Sequence, residues 1–266
     1  MTTDPTAPRM HHTTRQTDSR RAAEPPALRL FRAMNRLYRH AYPVYLPLYS
    51  AYKRIAERSR IRLISSYVKP AMAALDIGAN IGFYTRVLSD HVGESGRVHA
   101  FEPNADNMTR LQRGARSRAN VTLNQCAVAA QSGTAKLYLS SELNVDHRTF
   151  STNETRQTIE VPAVAIDDYF DKNEIIDFIK IDVQGFEHWA LQGMRQTIAR
   201  SPRVMLLSEL LPWGLRQSGA SVSAFLQMLR EYGFRLTEGS FEECEGLSAK
   251  ESDPFFYTDI VAIKQQ

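Results

Sequence analysis

The sequence predicts an α/β domain, with a mostly parallel β-sheet that carries helices on both faces. From Met72 onward, short apolar runs alternate with stretches of helical periodicity, which is typical of repeated strand–helix units. A loop containing Gly78 and Gly82 directly follows the first of these runs, where a strand would turn into a helix. Of the 266 residues, 43% are hydrophobic and 23% are charged, which is enough apolar material for a sizeable core.

The apolar runs and the helical stretches define the elements of this domain. Seven runs are predicted strands of the main sheet: Ala73–Ile77, Val98–Glu102, Val121–Ala127, Ile176–Asp182, Val204–Glu209, Phe234–Glu238 and Asp259–Lys264. A further predicted strand pair is inserted after the third strand: Ala135–Leu139 and Ile159–Val164. Four segments are predicted helices: Tyr84–His91, Ala105–Ser117, Phe186–Ala199 and Val222–Tyr232.

The chain divides into three predicted parts. Residues 1–27 have too few large apolar side chains to offset the entropy of ordering, so we expect a disordered tail. Residues 28–70 are predicted to form a basic helical extension, and residues 71–266 the α/β domain. Residues 1–69 carry 14 Lys and Arg against 4 Asp and Glu, a net charge of +10, while the whole chain has 33 and 29. The remainder is therefore acidic, and we expect any surface-binding role to lie in the extension.

The extension combines an aromatic stripe with basic residues. Leu28–His40 has helical periodicity, with apolar side chains and arginines on opposite faces. Tyrosines continue beyond it at spacings of four and three, and Pro43 and Pro47 are predicted to interrupt any single helix there. Two interpretations stay open. The stripe packs on the domain, or an interfacial segment within residues 28–62 contacts anionic lipid or covers a substrate pocket.

The sequence also predicts a cellular compartment. It has no apolar run long enough to cross a membrane, and its first residues lack the apolar core of a secretory signal. Cys126 and Cys244 have neither the spacing of a disulfide framework nor that of a CxxC metal site. We therefore expect a cytoplasmic location, with membrane association if the extension binds lipid.

The segment from Asp76 to Gly82 predicts a cofactor loop. Its glycines are four residues apart, unlike the GxGxxG loop that brings backbone N–H groups to a dinucleotide pyrophosphate. Asp76 stands two residues before Gly78, and an acidic side chain there favours a cationic ligand. S-adenosylmethionine has a sulfonium and an ammonium group and no phosphate, so it is the predicted cofactor. Its expected loop contacts are Asp76, Gly78, Asn80 and Gly82.

Two further strand ends complete the predicted cofactor site. Glu102 follows Gly82 by 20 residues, and an acidic residue at this spacing accepts hydrogen bonds from the ribose hydroxyls. Pro103 then ends the strand. Asn124 and Ala127, at the end of the third predicted strand, offer a polar side chain and a backbone N–H to the adenine edge. These groups are expected to converge, because parallel strands end at one edge of a sheet and ligands bind there.

Three segments resemble the FkbM-type methyltransferases: Asp76–Gly82, Gly96–Pro103 and Phe178–Glu187. The resemblance runs from about Val68 to Phe234. It implies a Rossmann-like class I methyltransferase fold for residues 71–266, with seven strands and one antiparallel strand near the C-terminus. It also implies O-methylation of a hydroxyl on a small molecule, sugar, glycolipid or polyketide. Many family members have Asp-Val-Glu-Gly where this chain has Gln184, so a divalent metal, a second cofactor option, would lack one carboxylate here.

Methyl transfer to a hydroxyl requires positioning of the reactants and a group that takes the proton. Asp182, at the end of the fourth predicted strand, is the first candidate and a further expected cofactor contact. His147 lies beside Asp146 in the inserted region and is a second candidate, because the pKa of an ordinary imidazole is near 6.5. Glu209, at the end of the fifth predicted strand, is the third. Predicted substrate contacts are Asp146, His147, Gln184, Glu187 and Trp213.

Three other functions compete with this prediction. An NAD(P)-dependent oxidoreductase is disfavoured by the glycine spacing and by Asp76. A noncatalytic cofactor-binding module would be favoured by loss of Asp76 or Glu102, and both are present. A nucleic-acid methyltransferase is suggested by the basic arm, since such arms bind phosphates. The chain has no Asn/Asp-Pro-Pro-Tyr/Phe signature and no cysteine-centred motif for cytosine chemistry, so nucleic acid is a disfavoured partner. The sequence makes no prediction of oligomeric state.

Overall fold

The computed structural model describes residues 37–38, 40–139 and 157–265, and within them it contains two β-sheets. The larger sheet consists of β1 (Ala73–Ile77), β2 (Arg97–Phe101), β3 (Val121–Asn124), β7 (Phe178–Ile181), β8 (Arg203–Leu210), β9 (Phe234–Leu236) and β10 (Thr258–Gln265). The smaller sheet consists of β4 (Ala127–Val128), β5 (Gly133–Leu139) and β6 (Gln157–Val164).

The larger sheet has the strand order β3-β2-β1-β7-β8-β10-β9. Neighbouring strands run parallel except that β10 is antiparallel to both β8 and β9. This confirms the mostly parallel sheet and the antiparallel strand that the resemblance implies. The parallel strands end at one edge, called here the carboxyl edge. Strand β10 begins at this edge, because Asp259 pairs with Glu209 near the end of β8.

Helices flank these strands along the described chain. They are α1 (Tyr42–Ala56), α2 (Arg58–Tyr67), α3 (Phe83–Val92), α4 (Ala105–Ala115), α5 (Ile166–Tyr169), α6 (Glu187–Gln192), α7 (Arg195–Arg200), α8 (Pro212–Gln217), α9 (Val222–Glu231) and α10 (Phe241–Glu245), with a 3-10 helix at Gly246–Lys250.

The apolar core lies on both faces of the larger sheet. On one face, Ile64 of α2 packs in a cluster with Phe178 of β7. On the other, Leu191 of α6 and Phe225 of α9 pack with Ile179, the next residue of the same strand. Successive strand residues point to opposite faces, so this alternation places helices on both sides, as predicted.

The predicted strand Val121–Ala127 is wrong, because the chain changes sheets within it. Strand β3 ends at Asn124, whereas Ala127 and Val128 pair with β6 of the smaller sheet. Ala127 is buried in a second apolar cluster with Leu137 and Val161. Two polar residues, Asn124 and Gln125, lie where the chain leaves β3, but the apolar residues on either side do not show which sheet each half joins. The inserted strand pair is confirmed, since β5 and β6 are antiparallel neighbours.

The predicted single helix Phe186–Ala199 is also wrong, since it divides into α6 and α7 around Gly193. The position of a Cβ on Gly193 would lie 2.0 Å from the backbone oxygen of Ala129. The chain therefore breaks where a glycine lets two backbone segments touch.

Of the two prolines that predict an interruption, Pro43 lies where a helix begins, after a break at Ala41, and Pro47 lies inside that helix. Helix α1 begins at Tyr42, has Pro43 in its first turn, where backbone N–H groups need no helical partner, and continues through Pro47. Pro47 is exposed, so solvent can hydrogen-bond the carbonyl that loses its partner. The predicted helix Leu28–His40 and the predicted tail lie mostly outside the described residues.

None of the helices in the described part of the chain combines the length and the apolar character that a membrane span requires.

Candidate active site

The loop after β1 is shaped by glycine at its closest contacts. The N–H groups of Gly78 and Ala79 donate to the carbonyl of Phe101, at 3.0 and 2.9 Å, which joins the loop to the end of β2. Gly78 has φ +75°, and a Cβ there would lie 1.9 Å from the backbone oxygen of Asp182. The loop therefore passes directly against the end of β7, with no room for a side chain at this position.

Gly82 and Asn80 fix the second half of the loop. Gly82 has φ +82°, and a Cβ there would lie 2.4 Å from Cδ1 of Leu111 on α4. Asn80 also has a positive φ, 52°, a conformation that asparagine tolerates better than most residues. The loop thus brings its backbone close to β7 and α4 before α3 begins.

Glu102 joins this loop to β2 and α4. Its Oε2 accepts a hydrogen bond from the backbone N–H of Asn80 at 2.9 Å, and its Oε1 accepts one from the N–H of Asn104 at 2.9 Å. Burial raises the pKa of Glu102 to about 7 despite these donors. The two oxygens have further lone pairs, so the carboxyl group can still accept hydrogen bonds from hydroxyl groups.

The other predicted cofactor contacts occupy two different places. Pro103 follows Glu102 and is half-buried, and Asn124 at the end of β3 donates from Nδ2 to the carbonyl of Ala100 at 3.3 Å. Ala127 lies instead in the smaller sheet, with its side chain in that sheet's apolar cluster.

Asp76 has no exposed surface and pairs with a lysine. Thr85 Oγ1 donates to Asp76 Oδ2 at 2.6 Å, and Lys180 Nζ lies 3.3 Å from Oδ1. Lys180 Nζ also donates to the carbonyl of Gly78 at 2.9 Å and lies 3.7 Å from Asp182 Oδ2. The structure thus gives Asp76 a different charge partner from the cationic ligand end that we expected.

Lys180 is a site residue that the sequence reasoning did not assign. Burial lowers its pKa, but the charges of Asp76 and Asp182 outweigh this and raise the pKa overall. A signal for it exists, because a lysine in the buried run Phe178–Ile181 requires a partner. Parallel pairing of the first and fourth predicted strands supplies one, since Asp76 lies opposite Lys180 in the observed register.

Asp182, Gln184 and Glu209 meet at the carboxyl edge. Gln184 Nε2 donates to Asp182 Oδ1 at 3.0 Å and to Glu209 Oε2 at 2.7 Å. Gln184 holds this bridging position in a left-handed backbone conformation, with φ 56°. The side chain of Asp182 is 35% exposed, so its carboxylate is open to a ligand.

The two carboxyl groups have opposite pKa shifts. Burial alone would raise the pKa of Asp182, but the nearby ammonium of Lys180 outweighs it and lowers the pKa below its ordinary value. Burial, followed by the charges of Asp182 and Glu187, raises the pKa of Glu209 to about 9. At neutral pH, Asp182 is therefore ionised and Glu209 is protonated.

Glu187 holds the loop that follows β7. It has no exposed surface, and its Oε1 accepts the N–H groups of Val183 at 3.2 Å and Gly185 at 2.9 Å. Burial raises the pKa of Glu187 to about 7. Gly185 packs so tightly that a Cβ would lie 2.4 Å from the backbone carbon of Gly214. The structure thus places Glu187 beneath the site rather than on its surface.

Trp213 is half-buried on α8, next to Gly214, close to this loop. Asp146 and His147 lie outside the described residues. Within the described part of the chain, no group of three or more His, Cys, Asp or Glu side chains could hold a metal ion.

The extension contributes residues that the sequence reasoning did not place here. Glu57 accepts hydrogen bonds from Lys53 at 2.6 Å, Arg60 at 2.6 Å and the hydroxyl of Tyr84 at 2.9 Å. Arg60 also binds the carboxylate of Asp259, which pairs with Glu209 in the sheet. This network joins the extension to the carboxyl edge.

Tyr49 of α1 lies near the same carboxylates. Burial, followed by the charge of Asp182, raises the pKa of Tyr49 well above its ordinary value. The positive charges of Lys53 and Arg60 in turn help to lower the pKa of Asp182. Helix α1 and the start of α2 therefore flank the acidic end of the site.

The chain matches the family described as the methyltransferase FkbM domain over residues 76–236. Comparison with curated protein sequences gives no match.

Several solved structures are similar to this chain at low sequence identity. Methyltransferase FkbM from Methylobacillus flagellatus KT is 17% identical, over 76% of this chain and 50% of that one, with a TM-score of 0.43. A SAM-dependent O-methyltransferase from Thermotoga maritima is 14% identical, over 79% and 65%, with a TM-score of 0.45. Aeropyrum pernix fibrillarin with bound S-adenosyl-L-methionine is 14% identical, over 77% and 74%, with a TM-score of 0.44.

Proposed function

Because this chain belongs to the FkbM methyltransferase family and is an S-adenosylmethionine-dependent methyltransferase, we propose that it methylates a hydroxyl oxygen. The proposed acceptor is a small molecule, sugar, glycolipid or polyketide. The observation that carries the proposal is the pair of carboxyl groups at the carboxyl edge, with Asp182 ionised and half-exposed and Glu209 protonated.

The residues at this edge fit the cofactor. Gly78 and Gly82 let the loop turn in a left-handed conformation close against Asp182 and Leu111, and Glu102 offers a carboxyl group that can accept hydrogen bonds from hydroxyl groups. Asp182 is proposed to meet the positively charged end, since its side chain is 35% exposed whereas Asp76 has no exposed surface. When bound, S-adenosylmethionine supplies a methyl group that is already activated by its sulfonium.

The proposed role of Asp182 is to accept the hydroxyl proton. The methyl carbon would pass to the acceptor oxygen as its bond to sulfur breaks, which leaves a neutral thioether. The O–H bond of the acceptor would break as well, and the proton would move to a carboxylate oxygen of Asp182. A protonated ether oxygen is far more acidic than an alcohol, so a carboxylate with a low pKa is a sufficient base late in the reaction. Gln184 would keep Asp182 oriented, because its two amide hydrogens bind Asp182 and Glu209 together.

The proposal is tested with Asp182→Asn, which keeps the size of the side chain and removes its charge. Transfer of labelled methyl groups is measured against a panel of hydroxylated sugars, glycolipids and polyketides. We expect turnover to fall about 100-fold or more, as is usual on removal of a general base. Affinity for S-adenosylhomocysteine, which lacks the sulfonium, should change far less.

Asp90→Asn is the matched control. Asp90 is exposed on α3 and pairs with Arg118 at 2.6 Å, away from the carboxyl edge, so its removal should leave turnover unchanged. Wild-type turnover in Asp182→Asn would contradict the proposed base. Methylation of nitrogen by the wild type would contradict a hydroxyl acceptor, and methylation of nucleic acid would contradict the proposed class of acceptor. Cofactor binding without any transfer would favour a noncatalytic module.

A further inference from the structure

Helix α1 has an exposed apolar stripe, formed by Val44, Leu48, Tyr52 and Ile55. These side chains are 53%, 51%, 63% and 73% exposed. Their spacings of four, four and three place them on one side of the helix. An exposed stripe of large apolar side chains over three turns is unusual on a protein surface and indicates a binding face.

The opposite side of α1 is already packed against the domain. Tyr45 is buried in a cluster with Tyr38 and with Ile81 of the cofactor loop. The hydroxyl of Tyr38 donates to Asn107 Oδ1 at 2.6 Å, and the guanidinium of Arg110 lies 3.9 Å from the centre of the Tyr38 ring. The helix is therefore fixed in place by its inner face, and the stripe is a second, separate apolar face.

The surface around the stripe is cationic. Arg54, Arg58 and Arg62 are exposed, and none of them pairs with a carboxylate among the described residues. Glu57 is the one acidic residue in the sequence of α1 and α2 and the position between them, and it is buried with three donors. The outer surface of the two helices thus presents arginine without acidic neighbours from the same helices.

Two exposed aromatic residues lie just before a strand that is bound to α2. Phe255 and Tyr257 are 88% and 60% exposed. They immediately precede β10, whose Asp259 is bound by Arg60 of α2. The exposed aromatic segment therefore adjoins the same side of the molecule, at the carboxyl edge.

We propose that the stripe of α1, with its flanking arginines, docks on the surface of an anionic lipid bilayer. Apolar side chains insert into the boundary between headgroups and acyl chains, while arginines bind the negative headgroups. A second copy of this chain fits less well, because two such surfaces would bring like charges together. A consequence, which rests on the proposed function, is that the active site lies at the membrane and takes its acceptor from a lipid.

The test is co-sedimentation of the full chain with vesicles of phosphatidylcholine alone and of an equal mixture of phosphatidylcholine and phosphatidylserine. We expect binding to the mixed vesicles, weakened at high salt. Leu48→Glu with Ile55→Glu should lower the partition coefficient at least about tenfold, since two large apolar groups no longer insert. Arg54→Gln with Arg58→Gln should lower the partition coefficient by a factor of roughly five for each arginine that is replaced.

Ile175→Glu is the matched control, because Ile175 is an exposed isoleucine preceding β7, at the opposite edge of the sheet. Unchanged affinity for S-adenosylhomocysteine and unchanged thermal unfolding show that each variant is folded. Vesicle binding needs no methyl transfer, so it can succeed or fail independently of the proposed function.

Three results would overturn the proposal. One is wild-type vesicle binding by both double variants. Another is a wild-type chain that does not bind vesicles but forms a dimer in light scattering, where Leu48→Glu with Ile55→Glu converts the dimer to a monomer. The last is binding of an RNA duplex, but not of vesicles, that depends on the arginines.

Discussion

At the scale of single residues, Lys180 is the counter-ion shared by two carboxyl groups near the carboxyl edge. Its ammonium lies 3.3 Å from Asp76 and 3.7 Å from Asp182, so both carboxylates have a counter-ion. Glu187, by contrast, accepts neutral backbone N–H groups, and burial raises its pKa. The pKa values of Asp182 and Glu187 are thus shifted in opposite directions because their surroundings differ.

The pKa of Glu187 leads to a prediction about stability. Its folded pKa is about 7, whereas an unfolded glutamate has a pKa near 4.3, so the folded chain keeps this proton longer. The stabilisation it gives is complete below pH 4.3 and is lost as the pH rises through 7. Glu187→Gln keeps the oxygen that accepts the two N–H groups but cannot ionise. Relative to wild type, the variant should gain up to about 3 kcal/mol between pH 4.3 and pH 8.

Urea unfolding at several pH values between 5 and 8 measures this difference. Glu94→Gln, at an exposed position between α3 and β2, is the control and should follow the wild type at every pH. If the curves for Glu187→Gln and the wild type run parallel, Glu187 does not titrate as its burial requires.

At the scale of elements, the loop between β1 and α3 depends on contacts with distant segments. Gly78→Ala would place a Cβ 1.9 Å from the backbone oxygen of Asp182, in addition to the strain of φ +75°. Backbone at the end of β7 would have to move, and with it the proposed cofactor and proton-accepting positions. We expect a loss of unfolding free energy of more than about 3 kcal/mol and at least about tenfold weaker binding of S-adenosylhomocysteine.

Gly233→Ala is the control that introduces the backbone strain of a positive φ without a steric clash of the new Cβ. Gly233 has a similar φ of +83°, but its Cβ would meet only Cγ of Lys264, at 3.9 Å, an ordinary contact. This variant should lose about 1 to 3 kcal/mol and bind S-adenosylhomocysteine as the wild type does. Calorimetric titration together with urea unfolding makes the comparison. Equal effects of the two substitutions would show that close packing of the loop on β7 is unimportant.

Element boundaries mark where local sequence stops being informative. Strand β1 coincides with its prediction, because an apolar run ends there at an obligatory glycine turn. The run Val121–Ala127 and the helix predicted at Phe186–Ala199 each divide in two, at Asn124 and at Gly193. Both breaks are caused by a segment remote in sequence, β6 in one case and Ala129 in the other.

At the scale of the whole molecule, the extension shares the core of the α/β domain. Ile64 has no exposed surface and packs in one cluster with Tyr67 and Phe178. We therefore expect the extension to unfold together with the domain. Ile64→Ala should lower the free energy of unfolding by about 2 to 5 kcal/mol, the usual cost of such a cavity.

Ile55→Ala is the matched substitution within the same extension. Ile55 is 73% exposed, so its removal should change the free energy of unfolding by less than about 0.5 kcal/mol. Urea unfolding, followed by circular dichroism, measures both. Similar small effects of the two substitutions, or a separate transition for the extension, would mean that the helices are held only loosely.

The sequence by itself determined the α/β fold, the glycine loop, the approximate position of the strands and the family. These depend on periodicity and on short motifs, which act through neighbours in the chain. The tertiary structure decided that Asp76 is neutralised by Lys180, that Glu187 lies beneath the site, and that the extension reaches the carboxyl edge through Arg60. Charge state and exposure depend on groups far apart in sequence, and only the folded chain brings those groups together.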